Sequence, residues 1–389
     1  MFPGRLSDCL NVADYRRAAK RRAHKMVFDY IDGGSDDEIT RFENHTAFDD
    51  YRIAHRVLSG VDTPDMSTTL LGQTLDVPFI LSPAAGNRLF HTDGEIGPAK
   101  AAEAVGTAYC LSTLSSRSIE EIGALTAGPK WFQLYVWKDR VLVKEMLARA
   151  KAAGYSALIL TVDFPITGNR ERDPRNGFTI PPKLGLKQVW HAMNAPLWSL
   201  DYVTKPSIKY ANLAEDTSAV SLNEFVAQQL SADFSWDDAE WLLGEWNGPA
   251  IIKGVARPDD AKRAIKTGFN AISLSNHGGR QLDNSPAPIH CVQGVRQAIG
   301  SDVEIIVDGG IRRGTDILKA LALGANAVSF ARPYLYGLAA FGTDGAVQAV
   351  QQIRDAVERD MILAGVGTLD ELDESFIMVK HKAYASMID

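Results

Sequence analysis

EIIVDGGIRRGTDILKALALG, residues 304–324, holds one complete structural unit. Residues 304–307 form a short, mostly apolar run bounded by turn residues, the pattern of a strand buried on both faces. Asp308-Gly309-Gly310-Ile311-Arg312-Arg313-Gly314 is a glycine-rich turn. The helical pattern after it ends at Gly324, where a left-handed C-terminal cap is favoured. Strand, turn and helix in that order, repeated, imply parallel strands.

Working outward, the same rhythm recurs. Comparable runs lie at 77–82, 107–111, 130–132, 157–162, 250–252, 271–274 and 327–330, with helical patterns such as 95–105, 140–153 and 259–267 between them. With 304–307 these make eight, the number that closes a (β/α)8 barrel. Pro83, Ser112, Gln133, Asp163, Lys253, His277, Asp308 and Arg332 stand at or just past the C-terminal ends of the runs. In such a barrel those ends share one face, where catalysis takes place.

The expected organisation is an N-terminal extension over 1–76 (helix, then irregular structure), a barrel over 77–370 and a tail over 371–389. One connection is far too long for a barrel unit. Between Asp163 and Ala250 an insertion of about 168–234 carries Trp190, Met193, Leu197, Trp198, Leu200 and Tyr202, with Pro196 interrupting any helix. A lid or subunit contact that buries these side chains is the leading expectation, with a weak membrane contact second. Lys183, Lys187, Lys205 and Lys209 flank the apolar stretch. None of the candidate catalytic residues lies in 187–219, so that segment is expected to be dispensable for the chemistry.

The net charge of -7 offers no basic surface for nucleic acid, and Arg16, Arg17, Lys20, Arg21 and Arg22 read as a solvated helix face. Cys9, Cys110 and Cys291 have neither disulfide nor zinc spacing, so no metal is expected and a reducing cytoplasm is the default. The N-terminus lacks the order of a signal peptide, no apolar run could span a bilayer, and the last residues are no peroxisomal address.

The turn 308–314 suits an anion. Glycines admit backbone N–H groups, the helix start adds its dipole, and Arg312 with Arg332 of Ala331-Arg332-Pro333 adds charge after strands seven and eight, a habitual phosphate site in barrels. Ser275-Asn276-His277-Gly278-Gly279-Arg280-Gln281-Leu282-Asp283 follows strand six. A histidine at a strand end with a cation three residues on suits proton removal beside an anion holder. Asp163 is placed to hold its tautomer, and Arg280 with Arg170 to grip a carboxylate. The plainer role for Arg170 is a pair with Glu171 or Asp173. Gln133, Tyr135, Thr161 and Ser275 suit the edge of a heteroaromatic ring. Lys253 suits either a Schiff base or the negative charge of a reduced cofactor.

Phe28-Asp29-Tyr30-Ile31-Asp32-Gly33-Gly34, Trp131-Phe132-Gln133-Leu134-Tyr135, residues 275–283 and residues 308–314 together resemble the FMN-dependent 2-hydroxy acid dehydrogenase and oxidase family. Its members include glycolate oxidase, lactate oxidase, L-lactate dehydrogenase and (S)-mandelate dehydrogenase. The resemblance covers roughly residues 10–370. It implies FMN, with Pro83, Ala84, Ala85, Ser112, Gln133, Thr161 and Ser275 against the flavin and Lys253 at its N1–O2 edge. Asp308, Gly309, Gly310, Ile311, Arg312, Ala331 and Arg332 would take the ribityl chain and phosphate. The implied substrate is a lactate- or mandelate-like L-2-hydroxy acid, bound by Arg170, Arg280, Tyr30 and Tyr135. His277, oriented by Asp163, would remove the hydroxyl proton while the C2 hydrogen passes as hydride to flavin N5, a carbanion route being the variant.

The family pattern is departed from in three respects: Ala331 replaces a usual glycine, Ala84 replaces a usual threonine, and the pocket positions Leu114, Phe164 and Thr167 match no single member. The stretch Pro196-Leu197-Trp198-Ser199-Leu200-Asp201 resembles the lactate and mandelate dehydrogenases more than the compact oxidases. A peroxide-forming oxidase is the runner-up. A flavin-free phosphate-binding barrel or a non-catalytic binding protein is the reading from another class. The electron acceptor is a quinone, another carrier or oxygen. The resemblance implies a homotetramer, cytoplasmic or peripheral on the inner face of the membrane.

Overall fold

The structure, a computed structural model, describes residues 4–135, 137–178, 185–205, 209–213 and 229–380. Its strands in chain order are β1 (Tyr51–Ile53), β2 (Thr68–Leu70), β3 (Gln73–Leu75), β4 (Phe79–Leu81), β5 (Tyr109–Ser112), β6 (Lys130–Tyr135), β7 (Ala157–Thr161), β8 (Ala250–Val255), β9 (Ala271–Leu274), β10 (Glu304–Asp308), β11 (Ala327–Phe330) and β12 (Ile377–Val379). Strands β4 to β11 pair in parallel and close into a barrel, with β11 beside β4. The expected (β/α)8 architecture is the observed one.

The strand bounds shift for local reasons. Pro78 has no N–H to give, so the first barrel strand begins at Phe79, while the Pro78 carbonyl still accepts from Val328. The fifth runs past Lys253 to Val255 through a register shift, with Gly254 at φ +111°. A charged residue stays inside this strand because its ammonium is paired, as described below.

Residues 47–76 are more ordered than the sequence suggested. Leu70 and Leu75 of the β2–β3 hairpin cluster with Ile80, Cys110, Trp131, Ile159, Ile251 and Ile306 of the barrel strands, closing its N-terminal end. The Trp131 indole N–H donates to the Gln73 side chain at 3.1 Å. β12, from the stretch expected to be a tail, pairs antiparallel with β1; residues 381–389 lie outside the described residues.

The basic cluster of the first helix (Val12–Arg22) is not simply solvated. Arg16 forms a two-point pair with Asp32 at 2.6 and 2.8 Å, and Arg22 donates to the Ala340 carbonyl at 2.6 Å while covering the Phe341 ring. These contacts fasten the N-terminal helices to the long C-terminal helix Arg332–Ala364, which kinks at Phe341 and Gly342.

Within the insertion, Pro196 starts a helix instead of breaking one. Helices Leu186–Met193 and Pro196–Thr204 follow each other, and proline suits a first helical position because the N–H it lacks would have no partner there. Trp198 is buried, stacks on Tyr202 and donates its indole N–H to the Leu89 carbonyl at 2.8 Å; Arg88 pairs with Asp201 at 3.0 Å. Trp190, Met193, Leu197, Leu200 and Val203 stay exposed, so the expectation that the whole apolar set is covered does not hold for the single chain. Lys183 lies outside the described residues, as does the side chain of Lys187.

Candidate active site

The C-terminal ends of the barrel strands surround a cleft. At one end of it stand Tyr30, Tyr135, Arg170, His277 and Arg280; Lys253, Thr161 and Pro83 to Ala85 form its middle. Asp308, Gly309, Gly310, Arg312, Ala331 and Arg332 close the other end. Ser112, Gln133, Asp163 and Ser275 are behind this wall, and Ile311 contributes its side chain to the core, leaving only its backbone for a ligand.

His277 sits at φ +59°, a left-handed backbone that is unusual for a residue with a side chain and collects at functional sites. Its Nδ1 is 2.8 Å from Asp163 Oδ1. A carboxylate only accepts, so Nδ1 carries the hydrogen and the Nε2 lone pair is free. Burial lowers the pKa below the ordinary 6.5 against the pull of Asp163, and Lys253 and Arg170 lower it further. The result is a neutral imidazole held as a proton acceptor. Tyr135 and Phe164 lie along its ring, with centroids at 6.3 and 5.4 Å, and burial pushes the Tyr135 phenol up to about 12, so it stays a donor.

Lys253 Nζ lies 2.8 Å from Asp308 Oδ2 and 2.9 Å from Ser275 Oγ. Asp308 also accepts from Ser82 at 2.5 Å, Ser329 at 2.6 Å and Ser275 at 2.8 Å. Burial alone would raise the Asp308 carboxyl, but the Lys253 ammonium and these hydroxyls hold it at about 2. Burial would likewise lower Lys253, yet Asp308 and Asp163 overcome it and hold the amine well above its usual value. An amine held in this buried ion pair suits the role of a fixed cation beside a cofactor better than that of a Schiff-base nucleophile. Ser82 and Ser329 escaped the sequence reading because a single serine inside an apolar strand carries no signal.

Arg280 is half-buried, lies over the Tyr30 ring at 4.7 Å and donates to the Tyr30 carbonyl. Arg170 lies over Phe164 and donates to the Arg280 carbonyl at 3.3 Å. Glu171 pairs with Arg175, so Arg170 has no ion pair among the described residues and its charge faces the cleft with that of Arg280. Asp173 is near enough for both to feel its charge, but it makes no ion pair with either among the described residues, so the two converging cations suit a carboxylate ligand.

Arg312 is half-buried and lines the cleft, and among the described residues the only hydrogen bond of its guanidinium goes to its own neighbour, the Ile311 carbonyl, at 2.7 Å. Gly310 has φ +83°, and a Cβ there would fall 1.9 Å from the Asn44 carbonyl oxygen, so only glycine lets the backbone pass. These features fit a phosphate. Arg332 lines the cleft, and its guanidinium also bridges the Ile31, Gly278 and Gly33 carbonyls at 2.9 to 3.1 Å, tying two motifs together. With the Lys253 cation, the Arg312 guanidinium and the glycine backbone of Gly309 and Gly310 all lining it, the cleft fits FMN.

Sequence and structure comparisons agree with this geometry. A family model described as FMN-dependent dehydrogenase matches residues 19–379. A putative L-lactate dehydrogenase of Mycobacterium tuberculosis is 40% identical over 369 residues, covering 95% of this chain and 89% of the relative. An L-lactate oxidase of Nostoc sp. is 40% identical over 376 residues, covering 96% and 99%. The crystal structure of a monotopic membrane protein, (S)-mandelate dehydrogenase, superposes with a TM-score of 0.92 at 34% identity, covering 96% of this chain and all of the other. The chain belongs to the FMN-dependent dehydrogenase family, oxidoreductases that act on 2-hydroxy acids with FMN as cofactor.

Proposed function

We propose that the protein oxidises a lactate- or mandelate-like L-2-hydroxy acid to the 2-oxo acid. The observation that carries this reading is the pairing of a neutral, Asp163-oriented His277 with two cations that form no ion pair among the described residues, all lining one cleft. Arg170 and Arg280 bind the carboxylate. Tyr30 and Tyr135 hydrogen-bond the substrate oxygens, and His277 Nε2 takes the hydroxyl proton. Bound FMN supplies the two-electron acceptor for the hydrogen on C2. Pro83, Ala84, Ala85 and Thr161 line its ring, with Ser112, Gln133 and Ser275 behind them. Lys253 supports negative charge at the ring, and Asp308 to Arg312 with Ala331 and Arg332 hold its tail. The imidazolium that forms is stabilised by Asp163.

A screen of 2-hydroxy acids under anaerobic conditions, following loss of the yellow absorbance, tests the reading. Bleaching by an L-2-hydroxy acid but not by its D-enantiomer is expected. No bleaching by any of them would overturn it. Peroxide formed stoichiometrically on admitting air would instead select the oxidase. The exposed Trp190, Leu197 and Val203 favour a further element of the proposal, a peripheral membrane contact made by the insertion. The assembly proposed is a homotetramer, checked by light scattering.

A further inference from the structure

Residues 209–213 come from the insertion, yet they are bonded into the catalytic face. The Ala211 N–H donates to the Ser115 carbonyl at 3.0 Å. The buried Asn212 accepts from the Ile119 N–H at 2.9 Å and donates to Ser115 Oγ at 2.8 Å. The segment is thereby strapped over the loop after β5. That loop is joined to the one after β4 by the Gly86 N–H, which donates to the Leu114 carbonyl at 2.8 Å. A Cβ at Gly86 would lie 3.6 Å from Tyr210 Cε1, so the Tyr210 ring rests directly on these two loops.

Tyr210 is only 5% exposed. Its hydroxyl makes no hydrogen bond with the described residues, and it is not among the fully enclosed unpaired groups, which include the phenols of Tyr15 and Tyr109. The groups it feels electrostatically include Tyr30, Tyr135 and Arg170, all three at the substrate end of the cleft, and burial keeps it protonated. Three directions leave the reacting carbon of a bound 2-hydroxy acid apart from its hydrogen. Arg170 and Arg280 take the carboxylate, and His277 with Tyr135 takes the hydroxyl. The direction left for the side chain would run toward the loops after β4 and β5: Ala85 lines the cleft there, and the Tyr210 ring rests beside it on Gly86.

We propose that Tyr210 is a specificity-determining residue whose hydroxyl hydrogen-bonds a polar group on the side chain of the 2-hydroxy acid, so that the preferred substrates carry an oxygen at C3 or C4. This rests on the reaction proposed above. A site with a phenol waiting for a partner discriminates against an analogue without one, because that analogue leaves the phenol buried and unpaired.

The test uses the FMN-loaded enzyme and two acids of nearly equal shape, L-glycerate and L-2-hydroxybutanoate, which differ by a hydroxyl against a methyl on C3. Anaerobic flavin reduction should favour glycerate, in reduction rate over Kd, by about tenfold or more. Tyr210→Phe should lose that preference by lowering the value for glycerate while leaving 2-hydroxybutanoate within about twofold. Its melting temperature and flavin content should match the parent. Equal losses for both acids would mark a purely structural residue and overturn the proposal, as would an unchanged ratio. Failure of every 2-hydroxy acid to reduce the parent enzyme is a different result, which overturns the reaction itself and this inference with it.

Discussion

At the residue scale, the site depends on charges kept in unusual states by their neighbours. His277 must be neutral to accept a proton, and its pKa lies below 6.5 because burial outweighs Asp163. The acid limb of kcat/KM should therefore fall below that value, activity rising with pH as the imidazole loses its proton. His277→Gln should keep the flavin but slow its reduction by about 10²–10⁴-fold, measured by anaerobic stopped flow. Near-parent bleaching would remove His277 from the mechanism. Lys253 has two duties, since it faces the cleft and neutralises Asp308. Lys253→Met should lower the flavin potential and weaken sulfite binding, because a cation near the ring favours both negative states. It should also cost roughly 3–5 kcal/mol in urea unfolding, the usual penalty for leaving a buried charge alone. In the parent, Asp308 is held at about 2 against 3.8 unfolded, so its contribution to stability is complete above 3.8 and is lost as pH falls through 2.

At the scale of elements, the insertion divides into an anchored face and an open one. Trp198, Tyr202 and the Arg88–Asp201 pair fix the helix Pro196–Thr204 to the loop carrying Leu89. Trp190, Leu197 and Val203 face outward. Replacing these three by Ser should leave flavin reduction unchanged and reduce sedimentation with anionic vesicles at physiological salt. Equal sedimentation of parent and variant would discard the membrane contact. Trp198→Ala should cost about 3–5 kcal/mol, as loss of a buried indole does. The segment 187–219 looked dispensable from the sequence because none of its residues belongs to a recognisable catalytic pattern. The structure changes that view: Tyr210 and Asn212 are built into the loops around the cleft, so removing the segment should disturb substrate selection more than cofactor binding.

At the scale of the whole molecule, the stretch after the N-terminal helices meets the C-terminal stretch when β1 pairs with β12 and Phe376 is buried. Truncation after Leu372 removes that pairing and should lower the melting temperature while leaving the cleft residues in place; an unchanged melting temperature would show that the pairing adds no stability. The sequence alone determined the barrel, since eight buried strands each leave a local apolar run and the helices between them a local period. It also determined most of the cleft, because a parallel barrel places every strand end on one face, and residues such as His277, Lys253 and Arg312 stand at those ends. Only the tertiary structure decided the rest. The hairpin β2–β3 inside the barrel floor, the serines around Asp308, the carbonyls bridged by Arg332 and the phenol of Tyr210 all depend on contacts between residues far apart in the chain. A local pattern records which way a side chain faces along its own strand or helix, and it carries no trace of what distant segment arrives to meet it.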